Sequence, residues 1–139
     1  MRVLVTGSRS WQDQECVWSA LDALAWRGEP VTVVHGDCPQ GADALASAWV
    51  KARRGEGWPV HEEPHPADWN QGRSAGFRRN AEMVALGADV VLTFIDRCQN
   101  PRCPTPGVHG SHGAVHCATA AAQAGIPVHH IRPSLSQRP

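Results

Sequence analysis

An excess of either charge is missing from this chain: its 139 residues carry 13 Lys+Arg against 13 Asp+Glu. A surface that attracts nucleic acid or membranes as a whole needs one sign in excess. Neither partner is therefore expected, and anion binding has to come from a local cluster. Long apolar runs are missing too, with none near the roughly 20 residues of a membrane span. Met1–Val5 lacks the apolar stretch and small-residue cleavage site of a leader peptide, so a cytoplasmic location is expected. Five cysteines is an odd number, which in that compartment favours free thiols or metal ligands over disulfides. No internal repeat, low-complexity block or second domain is visible. One domain over residues 1–131 is expected, with a disordered tail at 132–139.

Two phosphate-binding signatures are also lacking. Gly36 and Gly41 are spaced like the glycines of a P-loop, but Ala42-Asp43 stand where Lys and Ser/Thr would be needed. The first strand-to-helix turn holds only Gly7, so the dinucleotide fingerprint Gly-x-Gly-x-x-Gly is absent. The chain thus has neither an ATP nor an NAD motif.

What is present is alternation. Residues 2–6 read as a strand buried on both faces, because Val3-Leu4-Val5 is an unbroken apolar run. Val17, Leu21 and Leu24 then recur at helical spacing over 13–27, with Trp18, Trp26 and Trp49 read as helix-to-sheet packing. Strands are expected at 31–35, 58–61, 89–94 and 126–131, and helices at 42–53, 74–86 and 113–125. A polar loop fills 62–72 and an irregular segment 95–111. The expected fold is α/β, a Rossmann-like three-layer sandwich with a five-stranded, mostly parallel sheet in the order 3-2-1-4-5. Its ligand crevice should open where that order reverses, between strands one and four. Three small-residue turns then face one spot: Thr6–Arg9, Gly36–Asp43 and Gly110–Ala114. Each is either an ordinary tight connection or part of an anion site at a helix N-terminus.

Four motifs occur in order: Thr6-Gly7-Ser8-Arg9; His35-Gly36 with Gly41-Ala42-Asp43; Gly76-x-x-Arg79-Asn80-x-x-Met83; and Gly110-Ser111-x-Gly113-Ala114. Together they resemble the SLOG superfamily over about residues 2–131, in particular its small YspA-type members. That superfamily also includes the Lonely Guy phosphoribohydrolases and the DNA-processing protein DprA. The resemblance implies a Rossmann-like fold, a nucleotide or nucleotide-derived ligand, and a homodimer. Ligand contacts are then expected from Gly7, Ser8, Arg9, Gly36, Asp43, Arg79, Asn80, Ser111, Gly113 and Ala114. Arg79, followed by Met83, matches the phosphoribohydrolase pattern and would hold a phosphate or ribose; the alternative is a solvated helix arginine. Asp43 would accept from a ribose hydroxyl or cap its helix. Trp69 would stack on a base or pack under its loop.

The phosphoribohydrolases follow their glycine-rich turn with two glutamates that act on the ribose. Here His116 and Cys117 stand in that stretch. Cleaving an N-glycosidic bond calls for a carboxylate to stabilise charge or activate water. The catalytic candidates are therefore reduced to Arg79 and His116, and the sequence supplies no orienting partner for His116.

The segment after the fourth strand carries Cys98-x4-Cys103-x5-His109-x2-His112. Two thiols and two imidazoles in a short span are the donor set of a structural zinc site, and a long loop without secondary structure needs something to order it. His116 is an alternative fourth ligand. The competing reading is a polar loop with incidental Cys and His. The expected function is that of a nucleotide-binding sensor or ligand-binding module. The alternative is a hydrolase of the N-glycosidic or phosphate bond. A third reading, DNA processing, rests only on the small patch Arg73, Arg78 and Arg79.

Overall fold

The computed structural model describes residues 1–105 and 107–133. Among the described residues five strands and four helices alternate. In chain order they are β1 (Arg2–Gly7), α1 (Gln14–Ala25), β2 (Val31–His35), α2 (Ala42–Gly55), β3 (Val60–Pro64), α3 (Ala75–Leu86), β4 (Val90–Phe94), α4 (His112–Gln123) and β5 (Val128–His130). A 3-10 turn at Trp69–Gln71 precedes α3. The sheet order is β3-β2-β1-β4-β5, and every pairing is parallel. The α/β three-layer fold and its strand order are as the sequence implies.

The apolar run of β1 explains its central place. Val3, Leu4 and Val5 are all fully buried. Val3 and Val5 join a core with α1 and α2 that includes Trp49 and Phe94. Leu4 points the other way, into a smaller core with Met83 of α3 and Cys117 and Ala121 of α4. Two-residue alternation along the strand thus assigns one helix pair to each face.

Element ends differ from the sequence expectation for local reasons. Asp13 caps α1 instead of starting it, its carboxylate accepting from Cys16 N–H at 3.1 Å. Trp26, expected to pack on the sheet, lies beyond the last turn of α1 and is 66% exposed. Strand three starts later and runs through Pro64, so it takes in residues read as loop. An edge strand tolerates a proline and charged side chains, and here both carboxylates find partners. Glu62 meets the buried His35 at 2.8 Å. Of the expected tail, Arg132 and Pro133 are described and 134–139 lie outside the described residues.

Glu63 ties the sheet edge down. Arg2 reaches past β2 to fork onto it at 3.0 and 2.8 Å, and His65 Nε2 lies 2.8 Å away. The Arg2 guanidinium, then His65, holds the Glu63 carboxyl down at about 2, against an ordinary 4.5. This contribution is complete above the unfolded value and is lost as pH falls through about 2. Both side chains are about a third exposed, at 34% and 36%, so screening limits the effect to under about 1 kcal/mol. Glu63→Gln should flatten the acid limb of urea stability against pH in that window. An acid limb identical to the parent's would remove the ion pair's role.

Candidate functional site

A cavity of about 450 Å³ opens at the carboxyl ends of β1 and β4. The register that creates it pairs Gly7 with Phe94 at the strand ends. Gly7 is required there because a Cβ would collide with the Ala42 side chain and the Phe94 carbonyl. The next residue, Ser8, is buried. Its N–H donates to Phe94 O at 2.9 Å, so this N–H serves the fold instead of a ligand. Ser8 Oγ accepts from Asp96 N–H at 2.7 Å and also meets Ser111 Oγ. One hydroxyl therefore fastens the first turn to the segment after β4 and to the start of α4.

All ten residues expected to touch a ligand line this cavity. Their roles differ. Ser111 is the N-cap of α4, but with its hydroxyl at Ser8 it makes no side-chain cap. The N–H groups of the first turn of α4 thus have no capping side chain and lie at the cavity wall with Gly113 and Ala114. Asn80 is buried and fixes this wall: its Nδ2 donates to Gly113 O at 3.1 Å. Its Oδ1 accepts from Arg79 Nε at 3.0 Å. Arg79 Nη1 donates to Gly36 O and, at 3.2 Å, to His65 O. This guanidinium is first a bracket between α3 and two loops. Its Nη2 has no hydrogen-bond partner among the described residues. A Cβ at Gly36 would come within 2.7 Å of Arg79 Cζ, so a larger residue there would displace the guanidinium from these bonds.

Arg9 is exposed and lies 5.7 Å over the ring of Trp69, itself 53% exposed. Trp69 therefore does not pack under its loop; it flanks the cavity mouth. Asp43 does not cap α2 either, for the N-cap is Gly41, without a side-chain bond. The Asp43 carboxylate is buried and accepts from Cys38 N–H at 3.4 Å, and burial pushes its pKa up. Four arginines (9, 73, 79 and 97) and one carboxylate (Asp43) line the cavity. In a chain of zero net charge, this is the local positive cluster that anion binding requires. Arg97 and Cys38 were not picked out from sequence. Their position just past the carboxyl ends of β4 and β2 was the signal available.

His116 lies apart from both places proposed for it. Among the described residues it neither lines the cavity nor joins the thiol–imidazole cluster. Its ring lies 4.4 Å from that of Phe77, and its buried Nδ1 has no partner. Cys117 is fully buried, and burial raises its thiol to about 11. It is a core residue.

Cys98, Cys103, His109 and His112 do converge, with their ligand atoms all within 4.8 Å of one another. Cys103 Sγ is 3.4 Å from His109 Nε2 and 3.2 Å from His112 Nε2, and the two nitrogens are 3.0 Å apart. A tetrahedral zinc with bonds of about 2.3 Å to sulfur and 2.0 Å to nitrogen would place such atoms roughly 3.3–3.8 Å apart, so the set fits with small adjustments. His109 Nδ1 is 2.9 Å from Gly107 O; donating there leaves Nε2 free to bind metal. A hydrogen bond from Thr105 N–H lowers the Cys103 thiol to about 6, with smaller help from His109 and Cys98. This favours the thiolate that ligates metal. The cluster could hold a metal ion.

A family model described as "YspA, cpYpsA-related SLOG family" matches residues 1–72, which run from β1 through the turn at Trp69–Gln71. The chain belongs to this SLOG family. It is also similar to "Gene 61 protein" of Mycobacterium phage D29, 44% identical over 129 residues, covering 91% of this chain and 93% of that one. The fold is similar to that of a universal stress protein from Archaeoglobus fulgidus, at a TM-score of 0.52 and 21% identity over 94% of this chain and 97% of that one. That likeness concerns the fold alone. In this SLOG-family chain the residues at the glutamate positions of the resembled phosphoribohydrolases, His116 and Cys117, lie outside the cavity. No helix among the described residues is long and apolar enough to cross a membrane.

Proposed function

We propose that the cavity binds a nucleotide or nucleotide-derived ligand and that the protein serves as a sensor or ligand-binding module. The observation that carries this is the meeting of an uncapped α4 N-terminus with four arginines at the topological switch point. A phosphate would sit between Ser111–Ala114 and the free face of Arg79. Trp69 offers a stacking surface for a base, and Asp43 an acceptor for a ribose hydroxyl. The Cys98, Cys103, His109, His112 cluster would hold a structural zinc, its donor set being that of Cys2His2 sites.

A thermal-shift screen with nucleoside monophosphates, ADP-ribose and NAD tests this reading. A compound at 100 times its dissociation constant should stabilise by about 2.7 kcal/mol, and a flat response across the panel would sink it. Arg9→Ala should weaken a phosphate-bearing hit about tenfold without changing urea stability, because Arg9 is exposed and lies over the exposed Trp69 ring. The hydrolase alternative has Asp43 in its favour, a buried carboxylate with a raised pKa. Chromatography of the same incubations decides it, since hydrolysis would release free base or phosphate.

A further inference from the structure

The thiol–imidazole cluster and the cavity share residues. Cys98 and His112 line the cavity and also belong to the cluster, whereas Cys103 and His109 belong to the cluster alone. His112 is the first residue of α4. The helix end that offers its N–H groups to the cavity is therefore attached to a cluster member.

The segment between β4 and α4 is built as a closed clip. Arg97 and Gly110 form an antiparallel bridge, Cys98 N–H donates to His109 O at 2.7 Å, and Ser111 N–H donates to Asp96 O at 3.0 Å. Gly110 is wedged where a Cβ would come within 2.9 Å of both Ile95 and Val115 side chains. Past this neck the chain has little apolar material to hold it. Val108 is 80% exposed, and the two cysteines and His109 are only partly buried. Four donor atoms converging without a buried core under them need another source of order.

We propose that a thiophilic divalent metal, of the class of zinc, controls ligand affinity at the cavity by fixing His112 and with it the α4 N-terminus. This rests on the cavity being the ligand site, as argued above. With metal bound, the clip is cross-linked from Cys98 to His112, and the Ser8–Ser111 contact and the first turn of α4 are held in the arrangement seen here. Without it, the uncross-linked clip leaves that turn to fray, and the anion loses its most directional donors. Linkage makes the coupling reciprocal: an anion in the cavity tightens the metal by the same factor.

Cys103→Ser is the informative variant, because Cys103 touches the cluster and not the cavity. Three measurements on the full chain are compared for zinc-loaded protein, chelator-stripped protein and this variant. They are hydrogen exchange at the amides of 115–118, whose bonds close the first turn of α4, AMP affinity by calorimetry, and zinc affinity by chelator competition with and without AMP. The expected result is exchange about tenfold or more faster after stripping and in the variant, with AMP binding weakened by about tenfold. AMP should tighten zinc by the same factor. Unchanged exchange and equal AMP affinity in all three samples would overturn the coupling while leaving the nucleotide site standing. Exchange slowed by zinc with no AMP binding in any sample would support metal control of the wall and count against the nucleotide reading instead. Absence of zinc binding at a buffered micromolar concentration would overturn the proposal outright.

Discussion

Gly41→Ala is expected to lower stability by roughly 2–6 kcal/mol. Gly41 sits just before α2 with φ 78° and ψ −149°, a region essentially closed to residues with a Cβ, at a strain of about 1–3 kcal/mol. Sterics add to this. A Cβ would collide with the Ser8 carbonyl and the Arg9 backbone, and neither can rotate away as a side chain would. Overpacking of this kind costs a further ~1–3 kcal/mol. The Ser8 carbonyl accepts from Ala42 N–H at 3.3 Å and from Trp11 N–H at 3.1 Å, so displacing it disturbs the first turn and the start of α2 together. Urea unfolding should show a lower midpoint with an unchanged slope. Gly57→Ala is the comparison: its φ is +91° but nothing lies within 4 Å of a Cβ there, so it carries strain without collision. Equal losses at the two positions would refute the close approach at Gly41.

Arg79→Ala is expected to lower stability by about 2–4 kcal/mol and to abolish binding of phosphate-bearing ligands. The first effect follows from what the guanidinium holds. Gly36 is buried, and its carbonyl would lose a charged donor. His65 O and Asn80 Oδ1 would lose theirs as well, and Asn80 positions the α4 wall through Gly113. The second effect follows from the free Nη2 at the cavity. Arg79→Lys separates the two, since a compact ammonium cannot span Gly36, His65 and Asn80 at once. It should recover part of the anion affinity at most and little of the stability. Both quantities are read from urea curves and from calorimetric titration with AMP. A stability unchanged in Arg79→Ala would mean that the bracket contributes nothing.

These two residues mark how far sequence reading reaches. Val3-Leu4-Val5 and the repeated strand–helix pattern were enough for the sheet order, because an apolar run with short connections leaves few ways to cover a parallel sheet. The Cys98, Cys103, His109, His112 grouping was legible as well, since its members lie within one loop. Asp43 was not. Whether it capped α2 depended on the conformation of Gly41, and the structure gives the cap to the glycine and Asp43 to the Cys38 N–H. Trp26 and Trp49 had the same sequence signal, yet one is 66% exposed and the other fully buried, because Trp26 falls just past the end of its helix.

By itself the sequence determined the α/β layering, the family motifs and the absence of ATP and NAD signatures, all of which depend on residue type and local spacing. Only the tertiary structure decided that Arg79 braces carbonyls 43 and 14 residues away, and that His116 lies on Phe77 instead of in the cavity. It also decided that the cluster and the cavity share His112. Such contacts are fixed by how two cores set the helices on the sheet, and spacing along the chain carries no record of the side chain that will lie opposite.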